Sequence, residues 1–107
     1  MDQLDDNANA SVSAVDDPSG ASVVRLAGEL DISNVEKIEA ELAGMADTLA
    51  APLIVDLSAL AFMDSSGIAM LLRLADRVGP LTIRKPSAIA QQIILATGLG
   101  DILRIEE

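Results

Sequence analysis

Val35, Ile38, Leu42 and Met45 recur at the spacing that stacks side chains on one face of a helix, while Glu36, Lys37, Glu39 and Glu41 fall on the other. An amphipathic helix with one buried stripe is expected there. Ser33 stands where an N-cap belongs, and Glu36 would complete a capping box with it. Upstream, Ser11–Val15 alternates small polar and apolar residues, and Ser22–Ala27 is rich in β-branched positions. Between them Asp16-Asp17-Pro18-Ser19-Gly20 is dense in turn formers, so the pair reads as a hairpin. Gly28-Glu29-Leu30-Asp31 closes the hairpin and leads into the helix.

Beyond Pro52, Leu53–Leu57 is a short apolar run of the kind buried on both faces of a sheet. A loop through Leu60 and Phe62 then reaches Asp64-Ser65-Ser66-Gly67, and Ile68–Val78 predicts a second helix. That helix is apolar around most of its circumference, with Arg73, Asp76 and Arg77 marking its wet side. Met70 and Leu71 on it are either core or contact area for a partner. Gly79-Pro80 stops it, and Leu81–Arg84 is a short strand. Pro86-Ser87 opens a third helix, with Ile89, Ile93 and Ala96 on its apolar face and Gly98 as its stop. Leu103–Ile105 adds an edge strand or turn. Hairpin, helix, strand, helix, strand, helix implies an α/β fold with parallel crossovers and one antiparallel element. The polar, acidic residues 1–10 are expected to be disordered, and residues 11–107 to form a single domain.

Composition narrows the chemistry. Half of the 107 residues are hydrophobic, yet Phe62 is the sole aromatic residue, so the core must be aliphatic. The net charge of −10 and the lack of stacking aromatics argue against nucleic acid and anionic membranes and favour a partner with a basic surface. No Cys and no His are present, which removes disulfides, thiolate chemistry and the commonest general base and metal ligand. No stretch has the apolar length of a membrane span, and the acidic N-terminus lacks a signal core, so a cytoplasmic protein is expected.

The segment Val55 to Ala69 draws attention because a strand end there runs through a loop into a helix N-terminus, the edge where α/β sheets usually bind ligands and partners. A helix N-terminus accepts anions, and a phosphate on Ser65 or Ser66 would be tolerated there. The same Asp64, Ser65 and Ser66 equally suit plain helix capping. A nucleophilic serine would need a positioned base, and neither His nor a Ser-x-x-Lys pair supplies one, so no catalytic residue is assigned. Asp31 and Asp56, expected at the same edge, read better as caps than as metal ligands. Gly98-Leu99-Gly100 is too short for a nucleotide fingerprint. No cofactor or metal is expected.

These residues resemble the STAS domain family, in particular the anti-sigma factor antagonists. Gly28-Glu29-Leu30-Asp31, then Asp56-Leu57-Ser58 with Phe62-Met63-Asp64-Ser65-Ser66-Gly67, then Thr97-Gly98-Leu99 with Ile102 match its motifs in order, over nearly all of Ser22 to Ile105. The resemblance implies a STAS-type mixed sheet with helices packed mainly on one side. It also implies a non-enzymatic antagonist, a monomer when free, that binds an anti-sigma factor serine kinase and releases the sigma factor. Phosphorylation of Ser65 by that kinase would switch it off, and a phosphoserine phosphatase would restore it. Asp31, Asp64, Ser65, Ser66 and Gly67 are the implied partner-binding residues. Ile68-Ala69 departs from the Leu-Gly usual after the motif glycine. That variant also resembles STAS subunits that dock, unphosphorylated, on the ATPase of lipid-transporting ABC systems or in larger signalling complexes.

Overall fold

The computed structural model describes residues 10–45, 48–49 and 52–106. The disorder expected for residues 1–9 lies outside the described residues, while Ala10 is buried in the first strand. The chain runs β1 (Ala10–Asp16), β2 (Ser22–Leu30), α1 (Val35–Met45), β3 (Leu53–Met63), α2 (Ser65–Val78), β4 (Leu81–Arg84), α3 (Ala88–Ala96) and β5 (Leu103–Ile105). The five strands lie side by side in sequence order. β1 and β2 are an antiparallel hairpin, and every later pairing is parallel with a helix in the crossover.

The hairpin turn is built as its residues dictate. The Asp17 carboxylate accepts from the Ser19 N–H at 3.0 Å, and Gly20 takes a positive φ of 87°. Strand alternation then divides the sheet. Val24, Leu26, Leu53, Val55, Leu57, Leu81, Ile83 and Leu103 join residues from all three helices in one aliphatic cluster. Their neighbours Arg25, Asp56 and Arg84 point the other way and stand in register across β2, β3 and β4.

Three expectations are corrected here. First, the short strand at Leu53–Leu57 continues to Met63, so Leu60 and Phe62 are strand and not loop; likewise β2 continues through Gly28-Glu29-Leu30. The two extensions pair with each other, with register shifts between Arg25 and Ala27 and between Gly28 and Glu29. Those irregularities interrupt the alternation that marks a strand in sequence. Asp56 stabilises the first of them by accepting the Ser58 N–H at 2.8 Å.

Second, α1 is not opened by a Ser33–Glu36 capping box. The Ser33 hydroxyl donates to Asp31, and Asn34 precedes the first helical residue. Third, α3 buries Ala90 and Ile94, while Ile89 and Ala96 of the expected face are exposed and Ile93 is half-buried. A single apolar stripe cannot be chosen from a helix whose composition is apolar on several sides. Of the two roles open to Met70 and Leu71, core is the one they take, since both are fully buried. The expected α1 stripe does face inward: Val35, Ile38 and Leu42 are buried.

Gly67 sits where α2 meets the ends of β2 and β3. A Cβ there would lie 2.5 Å from Met63 Cγ and 3.1 Å from Leu30 Cδ2. Gly44, inside α1, has open space around the same position. The two glycines therefore predict opposite outcomes. Gly44→Ala should raise the unfolding free energy by about 0.5–1 kcal/mol, since alanine is the better helix former. Gly67→Ala should lower it by about 1 kcal/mol or more, because crowding outweighs helix propensity. Urea denaturation of both variants checks this; equal gains would mean that the α2 junction is not close-packed.

Candidate functional site

The extended β2–β3 pair carries two chain ends past the end of β4, to a single rim of the sheet. Leu30 pairs with Met63, and the Asp64 N–H donates to the Leu30 carbonyl at 3.2 Å. From that anchored point α2 begins. Asp64 is its N-cap, and the carboxylate accepts the Ser66 N–H at 2.9 Å and also the Ser66 hydroxyl. The Ser66 hydroxyl bond, with backbone N–H groups of Ser66, Gly67 and Ile32, holds the Asp64 carboxyl below the ordinary aspartate range against its partial burial.

The two adjacent serines are placed differently. Ser66 is half-buried and its hydroxyl is committed to the cap. Ser65, the first residue of α2, is exposed, and its hydroxyl has no hydrogen-bond partner among the described residues. Gly67 is buried and serves the close approach of α2 to Met63.

Asp31 reaches the same rim, one residue beyond Leu30. Its carboxylate accepts the Ser33 N–H at 2.9 Å and the Ser33 hydroxyl, so it shapes the turn into α1. Asn34 completes that turn and was not singled out from the sequence. It is buried at 3% exposure, donates to the Glu29 carbonyl at 2.8 Å and accepts the Asp31 N–H at 3.1 Å. Its signal is a polar amide directly before a buried stripe, where loop backbone must be satisfied.

Asp56 does not join the rim, contrary to expectation. It lies roughly 20 Å back along β3, given the rise of a strand. It is buried on the far face of the sheet, 3.3 Å from the Arg25 guanidinium. Burial raises its carboxyl, but the Ser58 side chain and N–H together with Arg25 outweigh that and leave it lowered. Arg84 bridges Asp17 at 3.4 Å and Glu106 at 2.7 Å on the same side. On α2, Arg73 pairs with Glu39 of α1 at 2.7 Å, while Arg77 is exposed. Among the described residues no group of three or more His, Cys, Asp or Glu side chains is arranged to hold a metal. Among the described residues no helix is long and apolar enough to cross a membrane.

The fold has known counterparts. The family model described as "Mlab, STAS domain" matches residues 13–105, and the chain belongs to the STAS domain family. Solved anti-sigma factor antagonists share the architecture. The one from Mycobacterium paratuberculosis is 26% identical, with a TM-score of 0.67 over 89% of this chain and 85% of that one. SpoIIAA in its unphosphorylated form is 27% identical, with a TM-score of 0.67 over 91% of this chain and 89% of that one. The Bacillus cell fate determinant SpoIIAA in the phosphorylated form is 25% identical, again with a TM-score of 0.67, over 91% of this chain and 92% of that one. No curated protein sequence matches.

The cap makes a measurable contribution. Asp64→Ala should lower stability at pH 7 by about 0.5–2 kcal/mol, the usual range for a lost N-cap. The folded pKa is depressed, so the ionic part of this stabilisation is complete above the unfolded aspartate value of about 3.9 and fades as pH falls through the lower folded value. Urea melts from pH 7 to pH 2 should therefore show the gap between wild type and variant narrowing below about pH 4. A gap independent of pH would remove the carboxylate from the cap.

Proposed function

We propose that this chain is a non-catalytic anti-sigma factor antagonist that binds a serine-kinase anti-sigma factor through the rim around Ser65 and is switched off by phosphorylation of that residue. Asp31, Asp64, Ser65, Ser66 and Gly67 form the contact region, a phosphoserine phosphatase restores the binding form, and the cycle runs in the cytoplasm. The observation that carries the reading is the contrast between neighbouring hydroxyls: Ser65 is exposed and unpartnered among the described residues, whereas Ser66 is tied to Asp64. A kinase can take the first without disturbing the cap; phosphate on the second would break it.

The switch works by obstruction. A phosphate adds roughly −1.5 to −2 charge at pH 7. At the first position of α2 the helix N-terminus tolerates that charge, so the fold is kept. A protein surface packed over Ser65 meets added bulk, a strongly hydrated dianion and the adjacent ionised Asp64. The equal TM-scores of this chain to the unphosphorylated and the phosphorylated forms of SpoIIAA support a switch that leaves the fold in place.

A second reading has its own support. The matching family model carries the description Mlab, and Ile68-Ala69 follows the motif glycine. On that reading the chain is an unphosphorylated subunit docked on the ATPase of a lipid-transporting ABC system.

Incubation with the kinase and ATP followed by peptide mass spectrometry separates the two. Phosphate should appear on Ser65 in wild type and in Ser66→Ala, and be absent from Ser65→Ala. Ser65→Asp should weaken kinase binding by about tenfold or more, with a melting temperature within about 2 °C of wild type. Phosphate confined to Ser66, or a Ser65→Asp variant that binds as wild type does, would sink the antagonist reading. Tight binding of wild type to a purified ABC ATPase with no kinase acting on it would establish the second.

A further inference from the structure

Most large apolar side chains of this protein are buried, and those that are not are unevenly placed. Among the described residues, Ile32, Phe62, Ile89, Leu95 and Ile102 are exposed, and the first three gather at the rim that carries Ser65. Ile32 is 76% exposed, in the turn directly after Asp31, and its backbone bonds the Asp64 carboxyl. Phe62 is 50% exposed as the penultimate residue of β3, two before Asp64. Ile89 is 62% exposed in the first turn of α3. Phe62 and Ile89, with Ala61, Met63, Ser87 and Ala88, line an open groove of about 370 Å³. Since β3 lies between β2 and β4, Ile32 and Ile89 stand on opposite sides of the strand that delivers Ser65. Acidic groups are interleaved with them: Glu29 is opposite Phe62 in register, Asp31 precedes Ile32, and Asp64 follows Met63.

We propose that Ile32, Phe62 and Ile89 are the apolar anchors by which this chain grips the kinase. The proposal rests on the Ser65 reading and specifies the chemistry of the partner surface: an apolar recess bordered by Lys or Arg side chains. Scattered exposed hydrophobics are ordinary, but three around one acidic rim match the apolar centre and charged border of a protein interface. Charge complementarity selects the occupant. A second copy of a chain with net charge −10 would bring Glu29, Asp31 and Asp64 against like charges, whereas a basic surface is drawn to them. The anchors would hold the partner across Ser65, so its hydroxyl is presented to the kinase and a phosphate there pushes the anchors out of their recess.

The test uses the full chain and the kinase that modifies Ser65. Ile32→Ser and Ile89→Ser should each weaken binding in titration calorimetry by roughly tenfold or more, as expected for removal of a buried apolar anchor. Both should raise the KM for Ser65 phosphorylation while leaving kcat and the melting temperature near wild type. Ile102→Ser, at the opposite end of the parallel strands where the Ile102 carbonyl meets the start of β4, should bind as wild type does. An Ile32→Ser/Ile89→Ser double variant with unchanged affinity and KM would overturn the anchor proposal while leaving the Ser65 reading intact. A kinase that neither binds nor modifies the wild-type chain would sink both. Wild-type dimers in sedimentation that the double variant abolishes would assign the patch to a second copy and overturn the proposal.

Discussion

The junction at Asp64 decides the geometry of everything around it. Its backbone N–H continues the β2–β3 ladder onto Leu30, and its carboxylate caps α2 through Ser66. One residue thus ends a strand and starts a helix with no slack between them. Gly67 allows the helix to settle against Met63 and Leu30, where any larger residue would crowd. The consequence for function is positional. Ser65 is held on rigid elements, with its hydroxyl outward and its backbone at the positive end of a helix.

The two faces of the sheet carry separate jobs. The helix-facing side supplies the aliphatic core, from Val24 through Leu103, without a single aromatic ring. The opposite side carries buried Val23 and Ile54 beside polar cross-links, with Arg25 on Asp56 and Arg84 between Asp17 and Glu106. Neither face presents much apolar surface. Among the described residues, three of the five exposed large apolar side chains, Ile32, Phe62 and Ile89, stand at the rim that carries Ser65. In a chain this acidic, an anionic rim with a few apolar residues in it is suited to a basic protein and poorly suited to further negative charge. Under the proposed switch, a dianionic group at Ser65 would change what the rim can hold and leave the core below it as it is.

Much of this was legible in the residue pattern, because local rules and tertiary packing agreed. The α1 stripe, the buried run at Leu53–Leu57, the Gly-Pro stop after α2 and the capping of that helix by Asp64 with Ser66 all appear where alternation, helical spacing and N-cap preference put them. The Ser33 cap misled because the Asp31 carboxylate takes the Ser33 N–H and hydroxyl that a capping box would use, while the buried Asn34 amide ties the same turn to Glu29 and Asp31. The last residues of β2 and β3 were missed because their bulges break the alternation on which strand reading depends. The α3 face was missed because an apolar stripe can be drawn on more than one side of that helix.

By itself the sequence determined the kind of core, the order of elements, the acidity of the surface and the motif that starts α2; each follows from the composition or spacing of neighbouring residues. Only the tertiary structure decided that Asp31 and Asp64 share a rim while Asp56 stands away from it, that Met70 and Leu71 are core, and that Ile32 and Ile89 flank Ser65. Those facts depend on which strands pair and how far each extends. Such pairing joins residues distant along the chain, and no local pattern encodes it.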